Sequence, residues 1–157
     1  MSAPTPREPV HRRQVIARAR PAEVYAVVTD FPAYPRLFPE ITDTRLLSTT
    51  GNTLRVEFRA KVMVPVRYVL DLTCDPAAQS VDWTFVEGEI VTASQGSWRC
   101  TPEGDGTVVD YRVALEVRAP LPGFLLRKVT DGLVAASIPA MFASIEREVR
   151  RRQGPLT

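Results

Sequence analysis

The side chains that most often carry out chemistry are scarce in this sequence, and their placement limits what they can do. Among 157 residues there is one histidine. His11 stands beside Arg12 and Arg13 at the start of the first alternating segment, a position that favours solvent over a closed site. It cannot complete a Ser-His-Asp or Cys-His relay, and no His-rich metal site can be assembled. Cys74 and Cys100 fall on separate predicted strands without CxxC spacing, which argues against a zinc site and gives little support for a disulfide framework. Both read as small buried hydrophobes.

Acid–base chemistry stays open to a carboxylate, a tyrosine or an arginine in an apolar pocket, where desolvation shifts pKa values. Asp71 is out of phase with Tyr68, Leu70 and Leu72 and should face water. Glu87 is in phase with Val81, Trp83 and Phe85, which puts it at an inner rim, either paired with an arginine or orienting a ligand; Glu89 flanks the same turn. Tyr68 and Tyr111 each lie on an inward phase, where a buried tyrosine ordinarily satisfies its hydroxyl on a neighbour. These three are weak catalytic candidates, and no residue is assigned as catalytic.

Elements must hold these residues, and the chain spells them out in order. Residues 1–9 read as a disordered leader. From Val10 to Ala19 apolar and polar residues roughly alternate, a first strand. Pro21 opens a helix where its missing N–H costs nothing, with Glu23 in the first turn and Val24, Val27 and Val28 as its apolar face. Asp30 reads as an N-cap for a second short helix kept irregular by Pro32, Pro35 and Pro39. Period-2 strands follow: Leu54, Val56, Phe58, Ala60 and Val62 alternate with Arg55, Glu57, Arg59 and Lys61. The pattern recurs at Tyr68 to Leu72, Val81 to Phe85 and Val109 to Val117. Turn signals separate the runs at Thr50-Gly51-Asn52, Asp75-Pro76, Glu87-Gly88 and 103–106. Connections this short imply antiparallel hairpins.

Beyond Pro120 and Pro122 a helical stripe begins, with Leu126, Val129 and Leu133 on one face and Ile138, Met141, Ile145 and Val149 continuing it after a slip beside Pro139. A kink is expected there and not a break. Thirty residues would give a helix about 45 Å long. Gly132 costs about 1 kcal/mol in a helix interior and suggests room for a ligand or a close strand. The order is thus strand, two short helices, six strands, one long helix. This is an α+β helix-grip arrangement, a curved seven-stranded antiparallel sheet wrapped around a long C-terminal helix. Its single domain covers 10–152, with a tail over 153–157.

Composition narrows the partners. A formal charge of +2 is too weak to argue for DNA. Arg147, Arg150, Arg151 and Arg152 make a basic end that reads as a solvated helix face, with a peripheral membrane or ribosome contact as its other use. No apolar run approaches the roughly 18 residues that span a bilayer, and residues 1–9 lack a signal-like stretch. A cytoplasmic location is the default expectation; oligomeric state is not legible.

Three segments carry a family resemblance: PAEVYAVVTDFPAYPRLFPEI from Pro21 to Ile41, WTFVEGEI followed by GSW from Trp83 to Trp98, and the proline-flanked helix start at Pro120 to Phe124. With this element order they resemble the START-like superfamily, the polyketide cyclase/dehydrase and lipid-transport group. Within it the coenzyme Q-binding and ribosome-association-toxin branch is most similar. The resemblance spans Val10 to about Arg152 and implies a ligand pocket without naming the ligand. Cyclases of this group are expected to place several polar groups deep in the cavity. Here the inward phases are apolar almost throughout, with Thr92 and Ser94 adding only hydroxyls, which favours binding over catalysis.

The expected ligand-binding set is Phe31, Tyr34 and Phe38 at the mouth; Val56, Phe58, Tyr68, Trp83, Phe85, Trp98 and Tyr111 on the sheet; and Leu126, Val129, Leu133 and Met141 on the helix. For the aromatics, plain packing is the competing role. An apolar tail gains roughly 0.8 kcal/mol per buried methylene, so about ten methylenes offset the usual binding costs. No Gly-rich phosphate loop serves a nucleotide, and no cofactor is implied. The partner is an apolar small molecule such as a lipid, isoprenoid quinone or polyketide-like compound. A cyclase/aromatase and a ribosome-associated regulator are the alternatives.

Overall fold

A computed structural model describes residues 10–62, 64–118 and 120–154. The expected leader and residues 155–157 of the tail lie outside these. The first strand, β1 (Val10–Ile16), stops short of Ala19, and Arg18, at φ 53°, turns the chain off the sheet. Pro21 opens α1 (Pro21–Val28) as its fixed φ allows. Glu23 Oε1 accepts the Arg20 backbone N–H at 2.9 Å, which satisfies one of the donors before the first turn. A 3-10 turn (Phe31–Ala33) and the single-turn α2 (Tyr34–Leu37) follow. Asp30 occupies the N-cap position of the 3-10 turn without capping it; its carboxylate accepts instead from Arg152, at 2.6 Å.

The remaining strands are β2 (Ile41–Thr50), β3 (Thr53–Val62), β4 (Val64–Asp75), β5 (Ser80–Glu89), β6 (Val91–Glu103) and β7 (Gly106–Val117). They join β1 in one seven-stranded sheet of order β1-β7-β6-β5-β4-β3-β2. Every pairing is antiparallel. The period-2 pattern predicts this face assignment well. Val56 lies opposite Leu70, Phe58 opposite Tyr68, Leu72 opposite Trp83 and Trp98 opposite Tyr111. Residues so paired share a face.

A β-bulge breaks the pattern once where it matters. Leu70 pairs Phe85, yet the next residue back, Val69, pairs Glu87. Val86 is the extra residue, so Glu87 turns to the outer face. There it is 61% exposed and accepts from Arg67 at 3.0 Å. The expectation that Glu87 sits at the inner rim fails for this reason. The turn expected at Glu87-Gly88 also falls later, at Ile90, because the strand continues through Gly88. A Cβ on Gly88 would come within 3.1 Å of the Tyr68 Cβ and 2.9 Å of the Val91 carbonyl.

The antiparallel order gathers the β3–β4 turn, the β5–β6 turn and the β7–α3 connection at one end of the sheet. α3 (Gly123–Gln153) starts there and runs 31 residues to the opposite end, unbroken at Pro139. Among its described side chains the buried ones are Thr130, Ile138, Phe142, Ile145, Glu148 and Val149. The stripe therefore steps by four from Thr130 through Val134 to Ile138 and Phe142. Leu133 is off it and 42% exposed, contrary to expectation. The side chain of Val129 lies outside the described residues. No strand approaches Gly132, which has nothing within 4 Å of an added Cβ.

The helix is also the one described element long and apolar enough to cross a membrane, where no apolar run of that kind was expected. Most of that apolar stretch is left unburied by the rest of the protein. Of its apolar residues, Ile138, Phe142 and Ile145 in the C-terminal half join the core.

Candidate functional site

The basic end, expected to be a solvated face, also forms a clasp. Glu148 is 3% exposed. Its carboxylate accepts from Arg36 at 3.0 and 2.9 Å, from Arg151 at 2.8 Å to each oxygen, and from Arg152 at 2.8 Å. Arg151 and then Arg36 hold its pKa far below the usual carboxylate range. Arg150 donates to the backbone carbonyls of Ala17 and Arg18. One end of α3 is thereby tied to β1, α1 and α2. Arg147, Arg151 and Arg152 nevertheless remain exposed, the last two while bonded to Glu148. A depression of about 290 Å³ lies here, lined by Arg20, Ala22, Glu23, Ala26, Val149 and Arg152, and none of the aromatic or tyrosine side chains of the sheet borders it.

At the other end the helix is held far less. Between 123 and 137 only Thr130 is buried among the described side chains, while Leu126 and Val134 are half-buried. The end itself is rimmed by apolar side chains from four segments: Val64, Ile90, Leu121, and Phe124 with Leu125. Phe124 is 80% exposed. Ile90 adopts φ 71°, a conformation that a β-branched residue rarely takes. Its carbonyl accepts the Arg118 N–H at 2.6 Å, which ties the β5–β6 turn to the start of the β7–α3 connection.

Two aromatic groups line the inner face between these ends. Phe31, Tyr34 and Phe38 were expected at the mouth; all three are buried. Tyr34 packs edge-on to Phe31 and Phe38 and lies 6.1 Å from Phe58. Its hydroxyl donates to the Val28 carbonyl at 2.5 Å. These residues pack the short helices onto the sheet, the ordinary role weighed for them. Phe58 in turn stacks on Tyr68 at 5.3 Å and 14°. The second group places Tyr111 against Trp98 at 4.4 Å, Trp83 at 6.0 Å and Phe142 at 6.5 Å. Gly96 makes this possible: a Cβ there would collide with the Trp83 indole, which lies across the position.

Phe142, fully buried and in contact with Trp98 and Tyr111, is the helix residue that sequence reasoning missed. It follows Met141, the half-buried position expected in its place. Spacing by four from Ile138 was the signal that could have found it. Glu148 was missed as well, and a carboxylate one turn from three arginines was the available sign.

Tyr68, Phe85 and Tyr111 retain accessible surface in mid-sheet. Burial nevertheless pushes the Tyr68 phenol up to about 12 and raises Tyr111 further, with a smaller contribution from Tyr68. All three lie on the inner-facing phase of their strands, with Phe58 opposite Tyr68, Leu70 opposite Phe85 and Trp98 opposite Tyr111. Neither phenol has a hydrogen-bond partner among the described residues. Val56, Trp83 and Trp98 are buried on the same face. No group of three His, Cys, Asp or Glu side chains that could hold a metal gathers among the described residues. Cys100 is buried and its thiol is pushed up to about 12, and Cys74 is half-buried.

A curved antiparallel sheet gripping one long helix defines the helix-grip fold class. The chain belongs to the polyketide cyclase/dehydrase and lipid transport family, whose model matches residues 9–150. Among solved structures it is similar to the protein TTHA0849 from Thermus thermophilus, with 23% identity over 92% of this chain and 98% of that one, at a TM-score of 0.83. The Zhui aromatase/cyclase from a Streptomyces species gives 19% identity over 94% and 99%, also at 0.83. A START superfamily protein from Mycobacterium smegmatis gives 19% over 92% and 98%, at 0.77. At these identities the likeness is one of fold. No curated protein matches the sequence.

Proposed function

We propose that the protein binds an apolar small molecule between the sheet and the N-terminal half of α3 and carries it without turnover. In this reading the accessible surface left on Tyr68, Phe85 and Tyr111 belongs to a hollow under that half of the helix, and the chemistry around it is the observation that supports carriage most. Its walls are Val56, Phe58, Trp83, Phe85 and Trp98, and its titratable groups are phenols. A phenol titrating near 12 is a poor general base at neutral pH, because a catalytic pKa should lie near the working pH. Glu87, the one carboxylate candidate, is on the outer face with Arg67. An isoprenoid quinone or another lipid-like guest, as in the coenzyme Q-binding branch, suits such walls.

Native mass spectrometry of protein purified from its host, followed by organic extraction, tests the reading. A non-covalently held apolar compound, released unchanged, is the expected result. An empty protein that converts a polyketone into a cyclised product would replace carriage by the cyclase reading. Salt-sensitive co-sedimentation with ribosomes, lost on Arg147→Glu, would instead favour the regulatory one.

A further inference from the structure

Two hydroxyls in the hollow are held in place and left unused. Tyr68 is clamped by its stack on Phe58 and stands opposite Gly88, which contributes no side chain. Tyr111 is wedged among Trp98, Trp83 and Phe142. Their rings are fixed by packing while both phenol oxygens lack a partner among the described residues. Tyr34, the third tyrosine in this region, shows the contrast, since its hydroxyl is spent on Val28. Neither oxygen is among the buried unpartnered side-chain atoms of the described residues, so each is open to water or to a ligand atom.

The charge around them is as informative. On the inner faces of β3 to β6 the described residues that pair across these tyrosines are apolar, aromatic or small. The nearest cation by register is Arg12, opposite Tyr111 on the edge strand β1, exposed and donating to Gln14 at 3.2 Å. A carboxylate or phosphate drawn into the hollow would lose its hydration without a buried counter-charge, which is strongly unfavourable. A neutral oxygen acceptor has no such cost.

Resting on the carrier reading above, we infer that Tyr68 and Tyr111 are the polar anchors of the hollow and donate to the oxygen of a neutral, carbonyl-bearing apolar ligand. The preference is for ketone or quinone oxygens over carboxylates and over plain hydrocarbons. The flat walls formed by Trp83, Trp98 and Phe58 favour a ring system near that oxygen. Because both hydroxyls stay protonated well past neutrality, the anchoring persists across the physiological range.

Three naphthalenes of matched size test this: 2-acetylnaphthalene, 2-ethylnaphthalene and 2-naphthoate, titrated by calorimetry into the full chain. The ketone should bind about tenfold tighter than the hydrocarbon, and naphthoate weakest. Tyr68→Phe and Tyr111→Phe should each weaken the ketone several-fold and together abolish its advantage, while 2-ethylnaphthalene binds all variants alike. That hydrocarbon also reports whether the variants keep a formed hollow. Equal affinity for ketone and hydrocarbon in the unmutated protein overturns the assignment and leaves the carrier reading standing. So does tightest binding of naphthoate, sensitive to Arg12→Gln, which would move the anchor to the edge strand. Binding of none of the three removes the carrier reading and this inference with it.

Discussion

An added Cβ on Gly96 would run into the Arg112 carbonyl and the six-membered ring of the Trp83 indole, with Cε2 at 2.8 Å. Neither neighbour can yield, because one is backbone and the other is packed against Tyr111. Gly96→Ala should therefore cost about 2 kcal/mol by overpacking, a fall in Tm of roughly 4–8 °C for a chain of this length. Gly132→Ala is the control. With open space around it in the helix, it should gain about 1 kcal/mol. Thermal melts of the two variants separate a crowded glycine from a merely flexible one. Composition shows neither fact, since both residues read as glycines inside regular elements. Register decides: Gly96 pairs Trp83, and pairing was not legible before the strands were aligned. The same holds for Glu87, whose outward turn follows from one bulged residue that no alternation pattern announces.

At the scale of elements, the C-terminal half of α3 is fixed by two kinds of contact. Ile138, Phe142, Ile145 and Val149 bury its apolar stripe, and Glu148 gathers Arg36 from α2 with Arg151 and Arg152 of its own last turn. Arg36 and Arg151 are 53% and 62% exposed and return to water readily if released. Glu148→Gln should accordingly destabilise by only about 1–2 kcal/mol. The sign of its pH dependence is set by direction alone. Folding lowers the Glu148 pKa from its ordinary value of 4.5, so the folded state takes up the proton less readily than the unfolded chain. The stabilisation is complete above that value and wanes as the pH drops below it. Denaturant midpoints of the two proteins should differ at pH 7 and converge toward pH 3. The number, type and order of the elements were legible, because alternation, proline punctuation and helical spacing all agree over most of the chain. The clasp was not, because arginines near a chain end carry no mark distinguishing a solvated face from one folded back on a buried carboxylate.

For the molecule as a whole, the unequal grip on α3 turns a static feature into a dynamic one. One end is clasped through Glu148 and the Arg150 bonds to Ala17 and Arg18. The other has Thr130 as its single buried residue between 123 and 137 among the described side chains; it borders the apolar rim at Val64, Ile90, Leu121 and Phe124 and, in the carrier reading, the hollow. Segments with few buried contacts open at low free energy. Hydrogen exchange of the empty protein should therefore be fast from 124 to about 136 and slow from 138 to 150. A guest under the loose half supplies the apolar contacts it lacks, so saturation with 2-acetylnaphthalene should slow exchange in 124–136 and leave 138–150 almost unchanged. At one hundred times Kd the whole protein gains about 2.7 kcal/mol, worth roughly 5–11 °C in Tm. Uniform protection along both halves would mean that the helix moves as one rigid body. The hollow would then fill and empty by some route other than the loosely held end.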